Sequence, residues 1–232
     1  MLQVIAHGGT TSGPVVSSTK GGASILEVCC QTTICLVIKT CVISLQGELM
    51  LRVPPANQES MPPHLREVFA AATKGNIPTG MNASLLYSPE ASERAHHWAD
   101  YLRTETGILP RRLQKLAMLV VARELDCQFI WNAHAHPAQE AGLSAELVYN
   151  LRDKKPLPAM KADEKALIQF GQEYFRSRRV SQKTFDEIRS QLGVQGVAEL
   201  VMLMGFYSML ACNAATFGVE VAPGNTEPLL PI

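Results

Sequence analysis

Long basic stretches are missing: no Lys/Arg run exceeds a pair such as Arg178-Arg179, and 21 basic residues balance 21 acidic ones to a formal net charge of zero. A nucleic-acid partner needs a basic patch to neutralise phosphates, so no nucleic acid is expected as a partner. Aromatic residues make up only 6% of the 232 positions. Of the six cysteines, Cys29, Cys30, Cys35 and Cys41 crowd near the N-terminus while Cys127 and Cys212 stand alone. That spacing is not a disulfide framework, and it points to a reducing, cytoplasmic setting. Internal repeats and low-complexity tracts are absent as well.

Uninterrupted apolar runs are also few. The stretch "ASILEVCCQTTICLVIKTCVISL" is broken by Glu27 and Lys39, and only fragments of a signal peptide occur. No membrane partner is expected from it. The character of the chain changes at "ELMLRVPPANQESMPPHLREVF", where Pro54, Pro55, Pro62 and Pro63 lead into a helix-rich remainder. Residues 1–49 therefore read as an irregular, dispensable extension and 50–232 as one folded domain.

Past residue 60 the apolar residues recur with a helical period, and capping residues and glycine stops separate the runs. Ser88-Pro89 opens one helix, with Gly107 as its stop. "PRRLQKLAMLVVAREL" places Leu113, Leu116, Ala117 and Val120 on one stripe. Asp126, Ser144, Asp163 and Ser181 are the expected N-caps of the next four helices, and Gly193 follows the last of them. The run from Leu200 to Phe217 is long enough to span a bilayer. Asn213 and Ser208 within it, and the amphipathic helices before it, favour a buried core helix instead. The expected fold class is all-α.

The densest group of reactive side chains is "CQFIWNAHAHPAQEAGLS", residues 127–144. At about 100° per residue, Cys127, Trp131 and His134 share a helix face, and His136 points away toward solvent. Pro137 should kink the helix just beyond His134. Cys127 sits at the helix start, where the dipole favours a thiolate, but it lies roughly 10 Å along the axis from His134, too far for direct proton transfer. Position 130, one turn from His134, holds Ile130, which has no proton to give. His96 and His97 point about 100° apart and cannot chelate as a pair; one of them can line a pocket. Glu199 reads as a dipole-stabilising carboxylate or one at a pocket mouth.

The stretch "ARELDCQFIWNAHAHPAQEAGLS" resembles the carboxymuconolactone decarboxylase-like and alkylhydroperoxidase D-like superfamily. "NIPTGMNASLLYSPE", "LPRRLQKLAML" and "LVMLMGFYSMLACNAATFGVEV" support the match, which covers about residues 50–223. The resemblance implies an all-helical domain that assembles as a homo-oligomer, a trimer or hexamer, with sites near subunit contacts. Its peroxidase branch uses a Cys-x-x-Cys pair, a histidine and an upstream glutamate. Carried onto this chain, these fall on Cys127, Ile130, His134 and Lys115. Two of the four are replaced, and without a resolving thiol beside Cys127 the usual disulfide cycle cannot close.

The decarboxylase branch, which the resemblance describes as relying on acid/base groups, then becomes the leading expectation. The substrate would be a small carboxylated ring or lactone. His134 would transfer the proton, Trp131 and Ile130 would line the pocket, and Lys115 or a neighbouring arginine would hold the carboxylate. Loss of CO₂ from a β-keto acid needs no metal and no organic cofactor. Two other expectations are a thiol-dependent reductase using Cys127 and a non-catalytic helical oligomer that binds small ligands.

Overall fold

The computed structural model describes residues 51–232 apart from 105, 106 and 223. The expected N-terminal extension, with its four crowded cysteines, lies outside the described residues. A single 3₁₀ turn (Pro63–Leu65) precedes eight α-helices among the described residues, with no strand between them. They are α1 (Arg66–Thr73), α2 (Asn82–Leu85), α3 (Pro89–Arg103), α4 (Arg111–Glu124), α5 (Gln128–Glu140), α6 (Ala145–Arg152), α7 (Ala162–Ser177) and α8 (Gln182–Phe217). The all-α expectation is met.

The apolar stripe read on α4 understates its burial. Leu113, Leu116 and every residue from Ala117 to Arg123 are buried, because α5, α6, α7 and α8 all pack against this helix. Close approach is possible on one side because α7 carries Gly171, where a Cβ would stand 2.5 Å from Val120 Cγ1 and 2.9 Å from Met204 Cε. Leu167, Ile168, Leu200, Leu203 and Phe206 complete this core. A smaller cluster, Ala56, Met61, Phe69 and Leu86, forms under the leading segment.

Two of the four expected caps act as read: Ser144 Oγ accepts from the Leu147 N–H and Ser181 Oγ from the Thr184 N–H. The other two do not. Asp126 takes a left-handed φ of 50° and turns its carboxylate to the Arg123 guanidinium, so Cys127 becomes the N-cap of α5. Asp163 lies inside the first turn of α7, where it pairs with Arg112 at 2.6 Å, and the Glu164 carboxylate accepts from the Lys161 N–H at the cap. Helix α3 ends at Arg103, before Gly107. Gly193, the expected stop, interrupts α8 with φ 68° and ψ 175°, and the apolar half resumes beyond it.

That half of α8 is not buried all round, contrary to expectation. Leu200, Leu203, Met204, Phe206 and Tyr207 face the core, whereas Val201, Met202 and Met209 are exposed. By length and composition α8 is also long and apolar enough to cross a membrane, and 39% of its most apolar window is buried inside the protein. The C-terminal segment returns to α5. The Gln128 amide donates to Leu230 O (2.8 Å) and accepts from the Leu230 N–H (2.7 Å), and the buried Arg123 donates to Pro231 O at 3.2 Å.

Candidate functional site

Lys115 interrupts the apolar face of α4 between Leu113 and Leu116, and remains half-buried where α4 meets α5. Opposite it, His134 projects from α5, with Lys115 Nζ 3.3 Å from His134 Nδ1. When Lys115 is an ammonium it has only protons to offer, so Nδ1 accepts and the ring keeps its own proton on Nε2. The other side of the imidazole meets Tyr207 of α8 edge-on, with ring centroids 5.3 Å apart. Arg103, at the end of α3, lies over Phe206 with its guanidinium carbon 5.9 Å from the ring centroid.

These neighbours set a neutral imidazole among cationic side chains. Burial first, then the charges of Lys115 and Arg103, push His134 down to about 3. Burial is also the main cause lowering Lys115, followed by Arg111 and Arg103, with Glu140 acting the other way. Tyr207 is raised by burial and partly offset by the charge and hydrogen bond of Arg103. Arg103 and Arg111 also line an open cavity of about 550 Å³ together with the 107–110 turn. That turn is fastened by Glu199, which is buried and accepts from the Ile108 N–H at 2.7 Å and from the Gln195 amide at 3.1 Å.

The thiol is placed differently from its neighbours. Cys127 is buried at the N-cap of α5, and burial pushes it up despite hydrogen bonds from the backbone of Ile130 and Phe129. The thiolate favoured by a helix start is thus outweighed by desolvation. Ile130 and Trp131 are fully buried, and the Trp131 indole N–H has no acceptor among the described residues. His136 is exposed, as read, and lies 3.4 Å from Glu140. Pro137 sits inside α5, which runs on to Glu140; the carbonyl left without a donor is that of Ala133, an exposed residue. His96 and His97 both border a second open cavity of about 550 Å³, and His96 Nδ1 donates to Ser92 O at 2.6 Å.

Of the sequence-derived residues, Lys115 and His134 are therefore brought together. Arg103, Tyr207 and Glu199's hold on the 107–110 turn escaped the sequence reading. Arg103 reaches the site from the helix before α4 and Tyr207 and Glu199 from the distant α8, and no spacing rule connects them to residues 115 and 134.

The same arrangement of helices occurs in solved structures. The core of an alkylhydroperoxidase AhpD-type, peroxidase-related protein from Ralstonia eutropha JMP134 superposes with a TM-score of 0.58 at 14% identity, over 75% of this chain and 93% of that one. A peroxidase-related protein from Silicibacter sp. TM1040 gives 0.58 at 15% identity, over 75% and 92%. A cysteine-to-alanine variant of the debrominase Bmp8, in complex with 2,3,4-tribromopyrrole, gives 0.57 at 13%, over 75% and 93%. The chain thus has the alkylhydroperoxidase D-like fold. No protein-family model matches the sequence, and no curated protein matches it either.

Proposed function

We propose that the chain removes the carboxylate of a small β-keto acid carried on a ring or lactone, by acid/base chemistry centred on His134. The observation that carries this reading is the 3.3 Å contact of Lys115 with His134, where Arg103 and Arg111 act on the lysine against Glu140 and the two arginines line a cavity that Gln114, next to Lys115, also borders. Guanidinium groups at a cavity mouth attract an anionic substrate. Once it is inside, the electrons left by CO₂ move onto the carbonyl oxygen, where the Lys115 ammonium stabilises the developing enolate. His134 then passes a proton to the substrate carbon from Nε2 while Nδ1 takes one from Lys115. A small ring is also what the debrominase variant holds in its complex.

Thiol chemistry has less support. A nucleophilic cysteine needs an accessible thiolate, whereas Cys127 is buried and shifted toward the thiol. The test is turnover of a panel of cyclic β-keto acids by purified variants. His134→Gln should lower kcat by about 10² to 10⁴, the usual range for a lost acid/base group. Cys127→Ser and His136→Ala should each change it less than about tenfold. Loss of turnover in Cys127→Ser with His134→Gln intact would put the thiol reading in its place, and indifference to both would leave a ligand-binding scaffold.

A further inference from the structure

Lys115 is unlike the other lysines close to carboxylates. Lys155 lies 2.8 Å from Asp153 and Lys154 3.9 Å from Asp126, whereas among the described residues no carboxylate forms an ion pair with Lys115. Among the described residues its hydrogen-bonding partner is the His134 ring, and two guanidinium groups act on it from α3 and α4. Glu140, the opposing carboxylate, is exposed and close to His136. A primary amine held among cations, half out of water and beside an imidazole has what a nucleophilic lysine requires. Desolvation and neighbouring positive charge increase the share present as free amine near neutral pH.

We propose that Lys115 is a covalent catalyst, its amine adding to the ketone of a small β-keto acid to form the imine through which CO₂ is lost. The step rests on the decarboxylase reading above and gives it a specific electron sink. The nitrogen lone pair attacks the carbonyl carbon. The carbonyl oxygen departs as water, taking two protons, and a protonated imine remains. The bond to the carboxylate breaks, CO₂ leaves, and the bonding pair moves through the carbon framework to neutralise the iminium nitrogen as an enamine. His134 gives its Nε2 proton to the carbon while Nδ1 takes the enamine N–H proton, which leaves the neutral imine. Water then hydrolyses the imine, releasing the ketone and restoring the lysine. Nothing is oxidised or reduced, and the net change is uptake of one proton and release of CO₂.

The imine has a signature that an ammonium acting only through space lacks, because borohydride reagents reduce it to a stable secondary amine. Full-length protein would be incubated near neutral pH with cyclopentanone, or with 2-oxocyclopentane-1-carboxylate, in the presence of sodium cyanoborohydride, and then digested and mapped by mass spectrometry. The expected result is a cyclopentyl group on Lys115 ahead of every other lysine, and its disappearance in Lys115→Arg and Lys115→Met variants whose circular dichroism matches the parent. The parent should also exchange the ketone oxygen with ¹⁸O-labelled water, which the variants should not. Label spread evenly over surface lysines, or no label and no exchange, overturns the proposal.

Measured alongside, CO₂ release separates the two levels of the reading. Retained release in Lys115→Arg with loss in His134→Gln rejects the covalent step and leaves the acid/base reading standing. Parent protein that shows label and exchange while no cyclic β-keto acid loses CO₂ supports the nucleophilic amine and rejects decarboxylation. A loss of release of about 10²-fold or more in Lys115→Arg, together with the label, supports both.

Discussion

A histidine set against a lysine nitrogen and a buried tyrosine is held neutral in the folded state, and this ties stability to pH. His134 has its ordinary value of 6.5 in the unfolded chain and about 3 in the folded one. Between those values the unfolded state binds the extra proton. The stability that depends on a neutral ring is therefore fully present above pH 6.5 and is lost as pH falls toward about 3. The slope reaches at most about 1.4 kcal/mol per pH unit for one proton. Denaturant titrations at a series of pH values should show the parent losing stability across this window more steeply than His134→Gln, which removes the titrating group. Parallel curves would mean that His134 titrates alike folded and unfolded. The same shift predicts that kcat/KM shows no ionisation near 6.5 from this ring. His134 itself is legible in the sequence, because Trp131 and His134 follow a helical period on one amphipathic element. Of the cations that shift it, Lys115 is reached in the sequence only through the family resemblance, and Arg103 comes from α3, a contact of which a one-dimensional pattern carries no trace.

Helices set the next scale, and here small residues decide how closely they approach. Gly171 lets α7 lie against Val120 and Met204, at distances a methyl group would violate. Val120 is fully buried in α4 and has no room to shift, so Gly171→Ala should cost about 1–3 kcal/mol of overpacking. For a domain of this size each kcal/mol lowers Tm by roughly 2–4 °C. A thermal melt with unchanged or higher Tm would show that the core relaxes around the added methyl group. The caps illustrate why local signals read well at some helix starts and fail at others. Ser144 accepts from the backbone as a cap, and the Ser181 hydroxyl donates to Glu173 while still accepting from the Thr184 N–H. Asp126 and Asp163 face buried or half-buried arginines, Arg123 and Arg112, and the ion pair takes the carboxylate away from the cap. Gln128 shows the same limit, since its two bonds to Leu230 join residues a hundred positions apart.

At the scale of the whole molecule, the unfinished surface is the outer side of α8. From Leu200 to Phe217 the helix carries no charge. Its core side is covered, but Val201 is 51% exposed, Met202 45% and Met209 40%, with Trp98 and Tyr101 exposed on α3. Exposed apolar side chains grouped on neighbouring helices mark an association site, and closed symmetry with copies of the same chain is the commonest way to cover it. We therefore expect a homo-oligomer in solution, consistent with the trimer or hexamer that the sequence resemblance implies. Light scattering at micromolar concentration should give a multiple of the chain mass. A charge placed at the centre of the face, Met202→Glu, should shift the assembly toward monomer without unfolding it, because that side chain already lies on the outer side. Monomeric parent protein would reject the expectation outright. A Met202→Glu variant that keeps the parent's mass would instead place the interface on another surface.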